Sequence, residues 1–209
     1  MMKIYEYKGF PNPARIRMAL GEKNAMDTVQ FVSVDVPNGE HRTPQFLAKN
    51  PSGTVPVLEL ADGTLIAECT AITEYIDQVF DGTPLCGSTP VQRAKTHMMQ
   101  RRGEAYLLEP VSAYFHHATP GLGPKLETCQ NREWGESQRA RAIEGMRYFD
   151  KVLREHADVV DYGFSMADIT VFAGLLFCDF VKLEVPPECT ALLAWRGKVA
   201  ERPSVAGCG

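Results

Sequence analysis

The segment from Asn50 to Ile72 constrains the fold more than any other part of the chain. It reads Asn-Pro-Ser-Gly-Thr-Val-Pro-Val-Leu from Asn50 and Ile-Ala-Glu-Cys-Thr-Ala-Ile from Ile66. This order predicts a turn, a Val-Pro step, a hairpin and a helix entered through an acidic residue. Because proline has no N–H and holds the preceding residue extended, Val55 displays one N–H and one C=O. A peptide-like ligand can pair with such an edge as an added strand.

Opposite charges are expected a few residues from that edge. The carboxylate of Glu68 suits an ammonium group, whereas the N–H groups at the start of the next helix suit a carboxylate. A ligand that carries both groups on one carbon therefore satisfies both partners. The sequence predicts a site for such a ligand between the Val-Pro step and this helix.

The first 80 residues alternate between strand and helix patterns. Clustered β-branched or alternating apolar residues predict short strands at 4–7, 29–35, 57–60 and 64–67. One helix is expected from Pro13, with Asn12 as its cap, and another from Cys69 with a continuous apolar face. The order is βαβ and then ββα, with Asp62-Gly63 as a hairpin turn. It resembles the thioredoxin-like fold.

All later segments have helical patterns. Turn-forming residues at 81–88 predict a linker between a first domain at 1–80 and an all-helical domain at 89–209. A long helix capped at Thr89 is expected to reach Glu109 and to be kinked by Pro110. A second runs from about Glu133 to Glu155, and the apolar segment 167–183 predicts a buried central helix. Ser165 and Asp168 form an S-x-x-D pattern that predicts its N-cap, a structural role.

Composition excludes several classes of function. The formal net charge of −4, with both signs interspersed, gives no field that attracts nucleic acid or an anionic membrane surface. No apolar run approaches the roughly 20 residues of a spanning helix, and the chain is expected in the cytoplasm. Six scattered cysteines form no C-x-x-C pattern, which argues against a metal site or disulfide framework and favours reduced thiols.

Three blocks of sequence resemble the glutathione S-transferase family across the whole chain. They are the segment from Phe10 to Leu20, the segment from Asn50 to Thr70, and Ser165-Met166-Ala167-Asp168-Ile169. The Pro-Asn pair of the first block resembles bacterial nu-class transferases. The resemblance implies a thioredoxin-like domain followed by an all-α domain, glutathione as co-substrate, a role in detoxification, and a homodimer.

In this family a side chain after the first strand contacts the glutathione sulfur, and the neighbouring helix N-terminus favours the thiolate. The usual serine or cysteine is Phe10 here, so a cysteine nucleophile in this loop is excluded. Asn12 matches the asparagine of the Pro-Asn pattern, and its amide N–H₂ can donate to sulfur. Capping of the helix alone also explains Asn12, and Tyr5 and Tyr7 remain alternatives.

The resemblance also implies residues that hold glutathione. Glu68 with Cys69 matches the Glu-Ser pair that binds the γ-glutamyl group, although a thiol is a weaker donor than a hydroxyl. Val55 is expected to pair with the cysteinyl backbone, and Pro56 to be cis. The remaining expected contacts are Thr54 beside Val55, Thr70 through its backbone N–H, and His41 and Arg42 at the glycine carboxylate.

An apolar acceptor site is expected on the helical domain, facing the first domain across a cleft. Its expected residues are Phe10, Tyr106, Tyr114, Phe115 and His116. Helix packing explains each of them singly, and either His116 or His117 is a candidate to polarise an electrophile.

Three functions follow from the resemblance. The first is transfer of glutathione to a hydrophobic electrophile. The second is reduction of disulfides or peroxides with a second glutathione. The third is binding without catalysis, which Phe10 favours because a hydroxyl is usual at that position. A redox enzyme using Cys69 itself is disfavoured, because an isolated thiol lacks a resolving partner.

Overall fold

The computed structural model describes residues 1–206. The chain folds into two compact units. The first is Met1–Leu85 together with the C-terminal residues from Pro203, and the second is Cys86–Arg202. The division lies within the expected linker 81–88. The segment from Pro203, assigned to the helical domain from the sequence, groups instead with the first unit. Cys208 lies outside the described residues.

The first unit contains a four-stranded sheet of order β2-β1-β3-β4. The strands are β1 Met2–Glu6, β2 Val29–Ser33, β3 Val57–Glu59 and β4 Leu65–Ala67. β1 pairs parallel with β2 and antiparallel with β3, which pairs antiparallel with β4. β1 starts earlier than predicted because Met2 and Lys3 pair with Val29 and Gln30. The predicted thioredoxin-like order is confirmed.

Three helices belong to the same part of the chain: α1 Pro11–Glu22, the short α2 Pro44–Leu47 and α3 Cys69–Val79. The core of the first unit contains side chains that are at most 2% exposed, among them Ile4, Ile16, Leu20, Leu58, Ile72 and Ile76. The apolar face of α3 ends at Val79, the last helical residue, which is 46% exposed.

The predicted start of α1 at Pro13 is wrong. The helix begins at Pro11, its N-cap residue is Phe10, and Asn12 lies in the first turn. Asn12 therefore does not cap the helix. Both prolines suit the first turn, where no intrahelical partner for an N–H exists, so residue type alone did not distinguish the two registers.

The second unit is helical. Its helices are α4 Pro90–Gly103, α5 Glu109–Ala118, α6 Arg132–Glu155, α7 Met166–Phe180 and α8 Thr190–Ala200. A π-helical turn, Glu104–Leu108, lies between α4 and α5, just before Pro110, where a kink was expected. Pro110 cannot donate to the C=O four residues earlier, that of Tyr106, which explains the local change of hydrogen bonding. A Cβ atom at Gly145 would overlap this C=O, so glycine allows the close approach of α6.

Helix α7 is the buried centre of this unit, as its apolar composition predicted. Ser165 and Asp168 form a capping box at its start, and Asp168 also accepts from the N–H of Val159 at 2.8 Å. Burial raises the pKa of Asp168 to about 7. Through its hydrogen bonds, Asp168 connects the cap of α7 to the preceding loop.

The C-terminal helix α9, Pro203–Ala206, packs against α1. The Ser204 hydroxyl donates to Glu22 Oε1 at 2.5 Å. Gly21 lies so close that a Cβ atom there would be 2.8 Å from Ser204 Cα. Nearby, Lys23, the residue after α1, forms a buried ion pair of 2.7 Å with Asp77 of α3. The end of the described chain is thus tied to the end of α1.

Candidate functional site

The strand register brings several predicted site residues to one edge of the sheet. Val57, the first residue of β3, pairs with Tyr5 near the end of β1 and with Ala67 at the end of β4. The loop after β1, the residues before Val57 and the residues after Ala67 therefore meet at the same edge. These three segments carry Asn12, Val55 and Glu68.

The start of α1 has an unusual pattern of backbone donors. The N–H of Phe10 donates to the C=O of Tyr7 at 3.2 Å, and the N–H of Ala14 donates to the C=O of Phe10 at 3.0 Å. Pro11 and Pro13 have no N–H. Asn12 therefore supplies the N–H that extends from the positive end of this helix.

The side chain of Asn12 is oriented by its own helix. Arg15 Nη1 donates to Asn12 Oδ1 at 3.2 Å, one helical turn away. Asn12 is exposed, whereas Arg15 is only 5% exposed. The amide oxygen is thus directed inward, and the Nδ2 group faces the exposed side.

Helix α3 starts beside this turn. The Cys69 thiol donates to the C=O of Asn12 at 3.5 Å and so joins the N-terminal turns of α1 and α3. The first backbone bond of α3 runs from the N–H of Ile72 to the C=O of Glu68 at 3.0 Å. The N–H groups of residues 69–71 thus form the positive end of α3.

Glu68 is held in a conformation that presents its side chain outward. Its φ of +68° lies in the left-handed region, which non-glycine residues rarely adopt. Its carboxylate does not cap α3, and the residue is exposed. The Glu68 carboxylate therefore lies beside the N-terminus of α3 without capping that helix.

A turn held by Asn50 places the Val-Pro step. The buried Asn50 side chain donates from Nδ2 to the C=O and hydroxyl of Thr54 at 2.9 and 3.0 Å. It also accepts from the N–H of Ser52 at 3.1 Å. Because the C=O and the hydroxyl of Thr54 both accept from Asn50, Thr54 takes part directly in holding the turn.

Val55 displays its backbone as the sequence indicated. The Val55–Pro56 peptide bond is cis, and Pro56 is buried. Among residues 1–206, the N–H and C=O of Val55 take part in no hydrogen bond. A strand-like donor and acceptor pair is therefore available at the edge where Asn12 and Glu68 lie.

His41 and Arg42 lie behind the turn at 50–54. A Cβ atom at Gly53 would be 3.2 Å from the C=O of His41, which shows how closely the two segments pack. His41 is 5% exposed, and burial, with the charge of Arg42, lowers its pKa. Its Nε2 accepts from Arg42 Nε at 3.3 Å. Of the two residues, Arg42 is the exposed one.

The two tyrosines proposed as alternatives have other positions. The Tyr5 hydroxyl donates to Glu59 at 2.6 Å, which lowers the pKa of Glu59 to about 2. Tyr5 points to the opposite face of β1 from Glu6, which pairs with Arg17 of α1. Tyr5 is thus directed away from α1, whereas the Tyr7 ring packs against Phe10 at 4.6 Å.

The expected acceptor residues form aromatic contacts within the second unit. Phe115 is buried against His116, Phe177 and Phe180, with ring centroids 4.9 to 5.7 Å apart. His116 Nδ1 lies 2.7 Å from Glu127, and His117 Nδ1 accepts from the N–H of Asn131. Tyr106 packs on Tyr148 at 5.2 Å, and Tyr114 is half-buried on α5. Their acceptor role stays a prediction.

Two residues of the site were not identified from the sequence. Arg15 is a charged residue, a type that is mostly exposed, yet it is buried and contacts Asn12. Its spacing of three residues from Asn12 was the available signal. Asn50 precedes Pro-Ser-Gly, a context in which asparagine commonly organises a turn.

Residues 1–206 contain no cluster of histidine, cysteine, aspartate and glutamate side chains that could hold a metal ion. Within the same residues, every helix is too short or too polar to cross a membrane.

Comparison with known proteins identifies close relatives. Residues 11–79 match the model of the glutathione S-transferase N-terminal domain. The chain is 62% identical over 205 residues to glutathione S-transferase 2 of Saccharomyces cerevisiae, covering 98% of this chain and 88% of the relative. The narrower resemblance to bacterial nu-class transferases is not supported, since this relative is from yeast.

Solved structures agree with this comparison. The crystal structure of Gtt2 from Saccharomyces cerevisiae superposes with a TM-score of 0.96 at 60% identity, covering 99% of this chain and 100% of that one. A glutathione S-transferase domain-containing protein from Marinobacter aquaeolei superposes with a TM-score of 0.95 at 55% identity, covering 97% and 99%.

Proposed function

The chain belongs to the glutathione S-transferase family of enzymes, and we propose that it ionises the glutathione sulfur at the start of α1 and directs it at a hydrophobic electrophile. One observation carries the proposal. The Cys69 thiol contacts the C=O of Asn12, so two helix N-termini meet beside the unpaired backbone of Val55.

Each part of glutathione has a partner in this arrangement. The cysteinyl backbone pairs with Val55, and the γ-glutamyl carboxylate binds at the positive end of α3, with Glu68 on its ammonium group. Arg42 and Thr54 lie on the side of the glycine carboxylate. The sulfur then lies at the positive end of α1, where the N–H and Nδ2 groups of Asn12 lower its pKa.

Catalysis follows from the ionised sulfur. A thiolate is the reactive form of glutathione, and a larger thiolate fraction at neutral pH raises the rate. Holding the electrophile close to it adds the advantage of proximity. For the acceptor we propose an apolar molecule bound with the aromatic side chains of the second unit, Tyr106, Tyr114, Phe115 and His116.

The test compares wild type, Asn12→Ala and the exposed amide control Gln78→Ala. Calorimetry measures glutathione binding, and a steady-state panel uses a chlorinated aromatic compound, an organic peroxide and a small mixed disulfide. We expect Asn12→Ala to bind glutathione normally but to lose about tenfold in rate, the effect of one hydrogen bond to a charged acceptor.

Other outcomes distinguish the rival functions. Fastest turnover of the mixed disulfide or the peroxide would favour glutathione-dependent reduction over conjugation. Binding of glutathione without turnover of any acceptor would indicate a ligand-binding protein. Wild-type rates in Asn12→Ala would remove Asn12 from the site, and Tyr7 would become the next candidate.

We further propose a cytoplasmic homodimer. Family membership supports the dimer. Within residues 1–206 no disulfide bond joins the cysteines Cys69, Cys86, Cys129, Cys178 and Cys189, which supports a reducing compartment. Light scattering during size-exclusion chromatography tests the dimer directly. A single species with the mass of one chain would contradict it.

A further inference from the structure

We propose that Arg15 is a positioning residue, which fixes the amide of Asn12 so that its N–H₂ group faces the glutathione sulfur. The proposal rests on the function proposed above and adds a residue that never contacts the substrate. It begins from the hydrogen bond between Arg15 Nη1 and Asn12 Oδ1, which is 3.2 Å long.

Arg15 can only be the donor of this hydrogen bond. A guanidinium group has five N–H donors and no acceptor, and it stays protonated at all working pH values. Only the oxygen of the Asn12 amide can therefore face Arg15. The Nδ2 group, which carries two donors, is consequently turned to the other side of the amide plane.

Burial makes this orientation durable. Arg15 is 5% exposed, so its side chain has little freedom to rotate away, whereas Asn12 is exposed at the edge of the sheet. The buried Arg15 side chain therefore orients the exposed amide of Asn12. Without Arg15, the amide of Asn12 would also sample the flipped state, in which its oxygen repels a thiolate.

Arg15, which can only donate hydrogen bonds, thus stabilises the thiolate in two ways. It keeps the Nδ2 donors of Asn12 aligned with the backbone N–H of the same residue, at the end of α1. It also places a positive charge one turn into the helix. The two contributions separate in variants that keep the charge or remove it.

The experiment measures the pKa of the bound glutathione thiol from the ultraviolet absorbance of the thiolate as a function of pH. It compares wild type, Arg15→Gln and Arg15→Lys, each also in the Asn12→Ala background. Glutamine can present either a donor or an acceptor, whereas lysine only donates. The KM for glutathione and thermal unfolding report whether each variant folds and binds.

We expect Arg15→Gln to raise the thiol pKa and to lower kcat at pH 6.5 by about three- to tenfold, the effect of part of one charge-assisted hydrogen bond. Arg15→Lys should restore most of this loss. In the Asn12→Ala background, Arg15→Gln should cause no further change. Asn12→Asp, which keeps the bond to Arg15 but has no N–H₂ group, should raise the thiol pKa above that of Asn12→Ala.

Two results would overturn the inference, and they differ from failure of the proposed function. A wild-type thiol pKa in Arg15→Gln would show that Arg15 does not orient the amide. If Arg15→Gln raised the thiol pKa equally in the wild-type and the Asn12→Ala backgrounds, Arg15 would act through its charge alone. An unchanged thiol pKa in Asn12→Ala would instead remove Asn12 from the mechanism, and the positioning role with it.

Discussion

The Cys69 thiol donates to the backbone C=O of Asn12 over 3.5 Å, so the first residue of α3 is bound to the first turn of α1. Both helices present their positive ends at this contact. A ligand with a carboxylate and a thiol a few bonds apart can therefore meet both ends at once.

Replacement of Cys69 by serine should strengthen glutathione binding. A hydroxyl is a stronger donor than a thiol, so Cys69→Ser should hold the C=O of Asn12, and with it the two helix N-termini, more firmly and lower the KM for glutathione by about two- to threefold. Cys69→Ala removes this contact and should raise the KM. Steady-state kinetics with a fixed acceptor measures both. Loss of all turnover in Cys69→Ser would contradict this prediction and indicate a redox role for the thiol.

Removal of the Glu68 charge should weaken binding without affecting the fold. The exposed carboxylate does not cap α3, so Glu68→Gln should unfold like wild type. Its Kd for glutathione should rise by about tenfold, the cost of one hydrogen bond to a charged group. Calorimetry measures this change.

A glutathione analogue without the α-amino group provides the control. It should bind wild type and Glu68→Gln equally, because it has no ammonium for the carboxylate to contact. Asp81→Asn, which removes an exposed charge in the linker, should bind glutathione like wild type. Equal affinity of wild type and Glu68→Gln for glutathione itself would exclude Glu68 as the ammonium partner.

Stability should fall at mildly acidic pH because of His41. Burial lowers the pKa of this histidine from its ordinary 6.5, so the unfolded chain binds a proton more readily than the folded one. The stability from this group is fully present above pH 6.5 and is lost as pH falls through the lower folded pKa. Protonation would also remove the acceptor that holds Arg42.

Urea unfolding at several pH values between 8 and 5 tests this expectation. The free energy of unfolding of His41→Gln, which keeps a neutral acceptor, should decline less steeply than that of wild type. Identical pH dependence of the two proteins would show that His41 does not resist protonation in the folded state.

Two helical glycines should respond in opposite ways to alanine. At Gly21 a Cβ atom would lie 2.8 Å from Ser204 Cα, so Gly21→Ala should displace α9 and cost about 1 to 3 kcal/mol. At Gly197, within α8, a Cβ atom would meet no atom within 4 Å, so Gly197→Ala should stabilise by about 0.5 to 1 kcal/mol. Thermal unfolding measures both, and equal effects would contradict the packing of α9 on α1.

Periodicity predicted most of the fold. The βαβ–ββα order, the buried centre at α7 and the extent of α6 followed from the sequence, because apolar periodicity is a pattern of neighbouring residues. The start of α1 was wrong because two prolines two residues apart suit the same position. The π-helical turn before Pro110 was missed, because the missing N–H of Pro110 is compatible with a kink as well as with a π-helical turn.

The site was only partly predictable for a similar reason. Val55, Glu68 and Asn12 have local signals, and strand register then places their segments at one edge of the sheet. The burial of Arg15 and His41 depends on long-range packing that charge and polarity in the sequence oppose. Such buried polar residues are the ones that a linear pattern assigns to solvent.

The prolines at positions 11 and 13 restrict which anions the end of α1 can hold. A phosphate or sulfate ion has several oxygens and is usually held by consecutive main-chain amides, whereas this end offers a single amide at Asn12. A monatomic centre such as ionised sulfur needs no more than that. The prolines thereby disfavour abundant cellular oxyanions as competitors for the same place.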